Sequence, residues 1–207
     1  MLGVTSIITQ MSKRISSFFI LNKIIKEEDK EVYEYSLELL LSSLFNLGAV
    51  ILIALFTRRV LEAALFVLGF VPLRSFAGGY HASTHFRCFL ILLFTFSLFI
   101  LVTYFIPNNF IVPLTIVFTF SSILLVFFLS PVEDSNKPFS DQEAKKFKKK
   151  SRLGILVYSL VTLFISSLFA NKIFGLSLVC GVFSVSFSLL ASAVRNKIVK
   201  RRQLMLK

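Results

Sequence analysis

Long runs without a charged side chain set the pattern of this chain. The runs 39–57, 153–171 and 173–194 hold 19, 19 and 22 residues, and one run of 45 covers 88–132. At about 1.5 Å of rise per residue, a helix of such length reaches about 28–33 Å, enough to cross a hydrocarbon layer of ~30 Å. Spans are predicted over 36–56, 60–76, 88–106, 110–129, 153–170 and 173–194. Pro107-Asn108-Asn109 ends the third, and Ser130-Pro131 ends the fourth. The fold class is an all-α membrane protein: a polytopic bundle of about six transmembrane helices. Ahead of it, Val4, Ile7, Ile8, Met11, Ile15, Phe18 and Phe19 gather on one side at 100° per residue. Ser6, Thr9, Gln10, Ser12, Lys13 and Ser16 fall opposite. That pattern predicts an amphipathic helix lying in the interface, with a charged linker following it up to residue 35.

The second span is the weakest. Its charge-free centre, 63–73, has 11 residues, and Arg58-Arg59 precedes it. Arg58 and Glu62 are four apart, so pairing on one helical face would lower the cost of burying them. A re-entrant element here would break the parity of the remaining crossings. Six crossings give one integral membrane domain over 1–207, with a basic 131–152 loop and a basic 195–207 tail.

Composition narrows the class further. Only 16% of residues are charged and 56% are hydrophobic, with a mean hydropathy of +0.80; a soluble domain is about 25% charged. Cytosolic enzymes and disordered chains are excluded, and two cysteines cannot build a disulfide scaffold. No removable signal peptide is read at the N-terminus. The net charge of +12 fits a membrane better than a nucleic acid, because Lys137, Lys145, Lys146, Lys148, Lys149, Lys150 and Arg152 cluster in the loop. Arg195, Lys197, Lys200, Arg201, Arg202 and Lys207 cluster in the tail. Basic loops stay cytoplasmic, which places both termini and the 74–88 segment inside and 107–109 outside.

Polar chemistry is costly in a membrane, and here it concentrates between Arg74 and Cys88. Both histidines, His81 and His85, lie there, with Arg74, Arg87, Cys88 and the Gly78-Gly79 pair. A neighbouring imidazole can deprotonate the thiol of Cys88 and then protonate a leaving amine. Gly78-Gly79 lets backbone approach a peptide closely and can aim N–H groups at an oxyanion, while Arg74 can hold an acidic group or that oxyanion. In a straight helix His81 would sit about 10 Å along the axis from Cys88, so spacing alone favours His85 as base. A metal site from His81, His85 and Cys88 is a rival, although no carboxylate is adjacent in sequence. Cys180, between Val179 and Gly181, reads as helix packing, and Glu38 and Glu62 as ion-pair partners near span ends.

This segment resembles the accessory gene regulator B (AgrB) family of membrane cysteine endopeptidases, which process quorum-sensing propeptides in Gram-positive bacteria. The likeness rests on Arg74, Gly78-Gly79-Tyr80-His81 and Cys88, with seven positions from Arg to His and seven from His to Cys. It extends to the amphipathic start, the Pro131-Val132-Glu133-Asp134-Ser135-Asn136-Lys137-Pro138 loop and the lysine run. The resemblance implies His81 and Cys88 as the catalytic pair, overriding the preference for His85, with Arg74, Gly78 and Gly79 in support. It implies an AgrD-like propeptide as partner, cleaved at its C-terminal part through a thioester and closed to a (thio)lactone autoinducing peptide. It implies no cofactor and no metal, and a multi-pass place in the cell membrane of a Gram-positive bacterium. Partners are then propeptide and lipid, not nucleic acid, with self-association left open. The competing classes are a small transporter or channel component and a metal-dependent membrane hydrolase.

Overall fold

Each predicted span has a helix in the computed structural model, which describes residues 3–77, 85–132 and 140–205. The helices are α1 (Gly3–Leu21), α2 (Lys30–Thr57), α3 (Val60–Ala77), α4 (His85–Phe105), α5 (Asn108–Leu129), α6 (Asp141–Leu168) and α7 (Ile173–Met205). A 3-10 turn, Glu27–Asp29, precedes α2. Among the described residues, α2, α3, α5, α6 and α7 are long and apolar enough to cross a membrane, and α4 contributes a shorter apolar stretch, Leu90–Phe105. An all-α membrane bundle is the architecture.

Helix ends depart from the predicted spans because a helix does not stop where hydrocarbon stops. α2 reaches back to Lys30, and good helix formers such as Arg201, Arg202, Gln203 and Leu204 carry α7 on to Met205. α6 starts at Asp141, not at 153, because Ser140 and Glu143 close a capping box. Glu143 N–H donates to Ser140 Oγ at 3.3 Å, and Ser140 N–H donates to Glu143 Oε2 at 3.0 Å. The second half of the basic loop is therefore helix.

By contact the chain divides into two units, Met1–Ile53 with Ala82–Phe96 and Ala54–His81 with Ser97–Lys207. In the first, α1 is amphipathic as expected, but its serine side is not simply exposed. Ser12 and Ser16 are fully buried. Ser12 Oγ lies 3.5 Å from Glu38 Oε1, and Ser16 Oγ donates to Glu34 Oε1 at 3.0 Å. Small hydroxyls thus fasten α1 to the start of α2, while Ile7, Met11, Phe18 and Leu21 stay exposed. α1 ends with Lys23 in the left-handed region (φ 57°), its N–H on Ile20 O and that of Ile24 on Phe19 O, both 2.9 Å.

In the second unit α7 packs against α3, α5 and α6. Leu176, Leu178, Val179, Val182, Val185 and Leu189 of α7 are buried, which leaves it little lipid-facing surface. Lipid tails are as apolar as leucine, so close packing and hydrogen bonds, not apolar burial, hold such helices together. α3 and α7 meet through two glycines. A Cβ on Gly69 would fall on the Leu178 carbonyl oxygen and within 3.2 Å of Val182, and one on Gly181 would fall on the Phe66 carbonyl oxygen. The contacts Phe66–Gly181 and Arg74–Ser188 make α3 parallel to α7. Ile111 clusters with Leu176, and Val126 with Val185 and Leu189, so α5 is parallel as well. Tyr158 bonds Leu68 O and Gly154 lies by Leu73, so α6 runs antiparallel.

The doubtful second span is one continuous helix, not a re-entrant turn. Pro72 sits inside it and leaves the Leu68 carbonyl, four residues back, without its usual donor. The Tyr158 hydroxyl supplies that bond at 2.9 Å. The expected Arg58–Glu62 pair is corrected to Arg59–Glu62, at 3.3 Å. Arg58 adopts a left-handed conformation (φ 58°) that closes α2, with Arg58 N–H on Leu55 O at 3.2 Å and Arg59 N–H on Ala54 O at 2.9 Å. Residue 58 is thereby spent on the turn, and residue 59 faces the carboxylate. Arg59 also lies over the Tyr104 ring, 4.7 Å from its centroid.

Candidate functional site

One end of the second unit collects the polar groups of four helices. The last turn of α3, the end of α5, the basic start of α6 and the later part of α7 meet there. Ser130 Oγ donates to Ser151 Oγ at 2.6 Å, and Val132 N–H donates to Ala77 O at 3.2 Å. Lys150 Nζ sits 5.1 Å from the Phe76 ring centroid. Below this end, Leu73, Ala77, Val126, Val132, Ile155, Val182, Val185 and Leu189 form a buried apolar floor.

Arg74 is the candidate whose side chain the structure describes. It occupies the last turn of α3, where a cation complements the negative end of the helix dipole. Its Nη1 donates to Ser188 Oγ at 3.2 Å, and its guanidinium lies 5.6 Å from the Phe70 ring centroid. Ser188 in turn donates to Val185 O at 2.8 Å, which fixes its rotamer. Ser188 and Phe70 were not singled out from sequence. Serines are frequent in α7, and only the fold reveals which of them reaches α3.

Gly78, Gly79 and His81 lie outside the described residues. α4 is described from His85 onward and carries Cys88; the side chains of His85 and Cys88 also lie outside the described set. The pairing of His81 with Cys88 and the rival metal site at His81, His85 and Cys88 both rest on those positions. Of the other residues singled out, Cys180 is partly buried against Ile111, Leu176 and Val179, which is the packing role expected. Glu62 pairs with Arg59, while Glu38 faces Ser12.

Seven helices among the described residues, five of them long and apolar enough to cross a membrane, with one strongly basic end, define a multi-pass all-α membrane protein. A family model described as Accessory gene regulator B matches residues 12–189, and the chain belongs to that family. An AgrB-like protein of Clostridium perfringens strain SM101 is 31% identical over 181 residues, covering 84% of each chain. A second from C. perfringens strain 13 is 31% identical over 134 residues, 62% of this chain and 63% of that one. One from Listeria innocua is 32% identical over 144 residues, 67% of this chain and 69% of the relative. Each is named only for its likeness to the family. No solved structure matches the chain significantly. Membership supports a part in agr-type processing of quorum-sensing peptides.

Proposed function

We propose that this protein is a membrane-embedded cysteine endopeptidase that cuts a short AgrD-like propeptide and supports closure of its (thio)lactone ring. The observation that carries the reading is membership of the AgrB family across 12–189, together with Arg74, His81 and Cys88 at seven-residue spacings.

In this mechanism His81 takes the Cys88 proton, and the thiolate attacks the scissile carbonyl carbon. The C–N bond breaks, the imidazolium protonates the leaving amine, and an acyl-enzyme thioester remains. A propeptide cysteine or hydroxyl then attacks that thioester, forming the ring and releasing Cys88. Exchange of one thioester for another is nearly balanced in energy, and water excluded at the membrane face spares the intermediate from hydrolysis. Gly78 and Gly79 admit the substrate backbone. Arg74, held by Ser188 and Phe70, supplies positive charge for the oxyanion or an acidic substrate group. The reading puts the chemistry on the cytoplasmic side, where basic loops stay.

Coexpression with short propeptides encoded nearby tests this, reading peptide mass in cells and medium. The wild type yields a cut, cyclic product. Cys88→Ala and His81→Ala yield none, and His85→Ala retains processing. Cutting that persists after Cys88→Ala ends the proposal.

A further inference from the structure

α6 changes character at a single residue. Lys145, Lys146, Lys148, Lys149, Lys150 and Arg152 crowd its first half, and no charge follows from 153 to 171. A helix that crosses a membrane at that boundary sets Arg152 at the level where hydrocarbon gives way to headgroups. At 100° per residue, Ala144, Phe147, Ser151 and Ile155 form the inward stripe, with Ser151 and Ile155 buried. Lys145, Lys148, Lys149 and Arg152 form the neighbouring stripe, and its three lysines are exposed. Below them on the same side lie Leu156, Leu160 and Leu163, also exposed.

Arg152 is the anchor of that stripe. Its Nη2 donates to Phe127 O at 2.9 Å, capping a carbonyl in the last turn of α5, and its guanidinium covers the Phe127 ring at 5.1 Å. Its Nε is buried and has no partner among the described residues. The half-buried Arg152 is thus fixed in place by α5 and adds its positive charge to the exposed lysines beside it. Glu143, at the start of the same helix, is held in the capping box.

We propose that this stripe is a docking site for an anionic phospholipid. The phosphodiester engages Arg152 and the three lysines, and the acyl chains descend along Leu156, Leu160 and Leu163. The vertical order of cations above exposed leucines matches one lipid molecule from headgroup to tail; an acidic peptide would require the first half of that pattern and not the second. The site lies on the side of α6, and it holds whether or not Cys88 is a nucleophile.

The test uses the full-length protein in neutral detergent, titrated with phosphatidylglycerol, phosphatidylcholine, inorganic phosphate or an oligoglutamate peptide, with bound lipid counted by native mass spectrometry. Phosphatidylglycerol is retained in preference to phosphatidylcholine, and millimolar phosphate does not displace it. Arg152→Gln lowers retention but also uncaps α5, so the exposed Lys145→Gln, Lys148→Gln, Lys149→Gln triple variant is the cleaner arm. At about fivefold per lysine it weakens phosphatidylglycerol binding by about a hundredfold. Equal retention of both lipids, or a triple variant that binds like wild type, overturns the proposal. So does displacement by phosphate, which marks a free-anion site, or by an acidic peptide, which marks a peptide surface.

Discussion

Pro72 shows how one residue's defect is repaired by another far along the chain. Its ring removes a donor from α3, and inside a membrane no water replaces that donor at the Leu68 carbonyl. The Tyr158 hydroxyl, ninety positions from Leu68, fills the gap. Tyr158→Phe should therefore cost about 1–3 kcal/mol of stability, the penalty for an orphaned carbonyl. Pro72→Ala restores an N–H, so in that background the same Tyr158→Phe change should cost almost nothing; denaturation in mixed micelles measures both halves of the cycle. Equal costs in the two backgrounds would show that the hydroxyl does not serve this carbonyl. Pro72 is visible in sequence, whereas its remedy is not, since nothing local to Tyr158 marks it. The same blindness affected Arg58. Spacing of four selected it as the partner of Glu62, but its left-handed backbone at the end of α2 hands that pairing to Arg59.

Between elements, glycine decides how near two helices come. Gly69 and Gly181 each lie where a methyl group would meet the other helix's main chain, and backbone cannot swing aside as a side chain can. Gly69→Val and Gly181→Val should each destabilise the protein by at least about 1–3 kcal/mol, the usual range for overpacking. Gly48→Ala in α2, with open space around it, should be neutral. Detergent-resistant folded yield and the denaturation midpoint separate these cases; a tolerated Gly181→Val would show that α3 and α7 stand further apart. Because α7 also carries Ser188 to Arg74, loosening the seam should lower processing together with stability. In sequence these glycines are indistinguishable from any others in a charge-free run. α1 carries a related lesson. Its amphipathic period was legible, but Ser12 and Ser16 on the polar side are buried beside Glu38 and Glu34. Periodicity reports polarity, and a pair of carboxylates on a neighbouring helix can make a polar face the inner one.

At the scale of the whole molecule, the membrane made much of the fold readable. Crossing a slab requires a minimum number of uncharged residues in sequence, a constraint that needs no knowledge of tertiary contacts. Helix ends were less legible, since α6 and α7 continue through lysines and arginines that water tolerates as well as helix does. The expectation of chemistry at Arg74, His81 and Cys88 rests on a concentration of polar residues in a greasy chain, whereas Arg74's contacts with Ser188 and Phe70 needed the fold. Direction is the remaining global property. With α3, α5 and α7 parallel and α6 antiparallel, the start of α6 and the later part of α7 share one end, while the start of α5 lies at the other. The basic end should face the cytoplasm, because Lys and Arg resist translocation. In a Cys88→Ala, Cys180→Ser background, Lys148→Cys and Lys197→Cys should react with a membrane-impermeant maleimide only after the cells are opened, and Asn108→Cys should react in intact cells. A Lys148→Cys variant labelled from outside would reverse the bundle. Labelling of Lys148→Cys and Asn108→Cys from the same side would instead mean that α5 does not cross, and the parity that puts the 74–88 segment inside would fail with it.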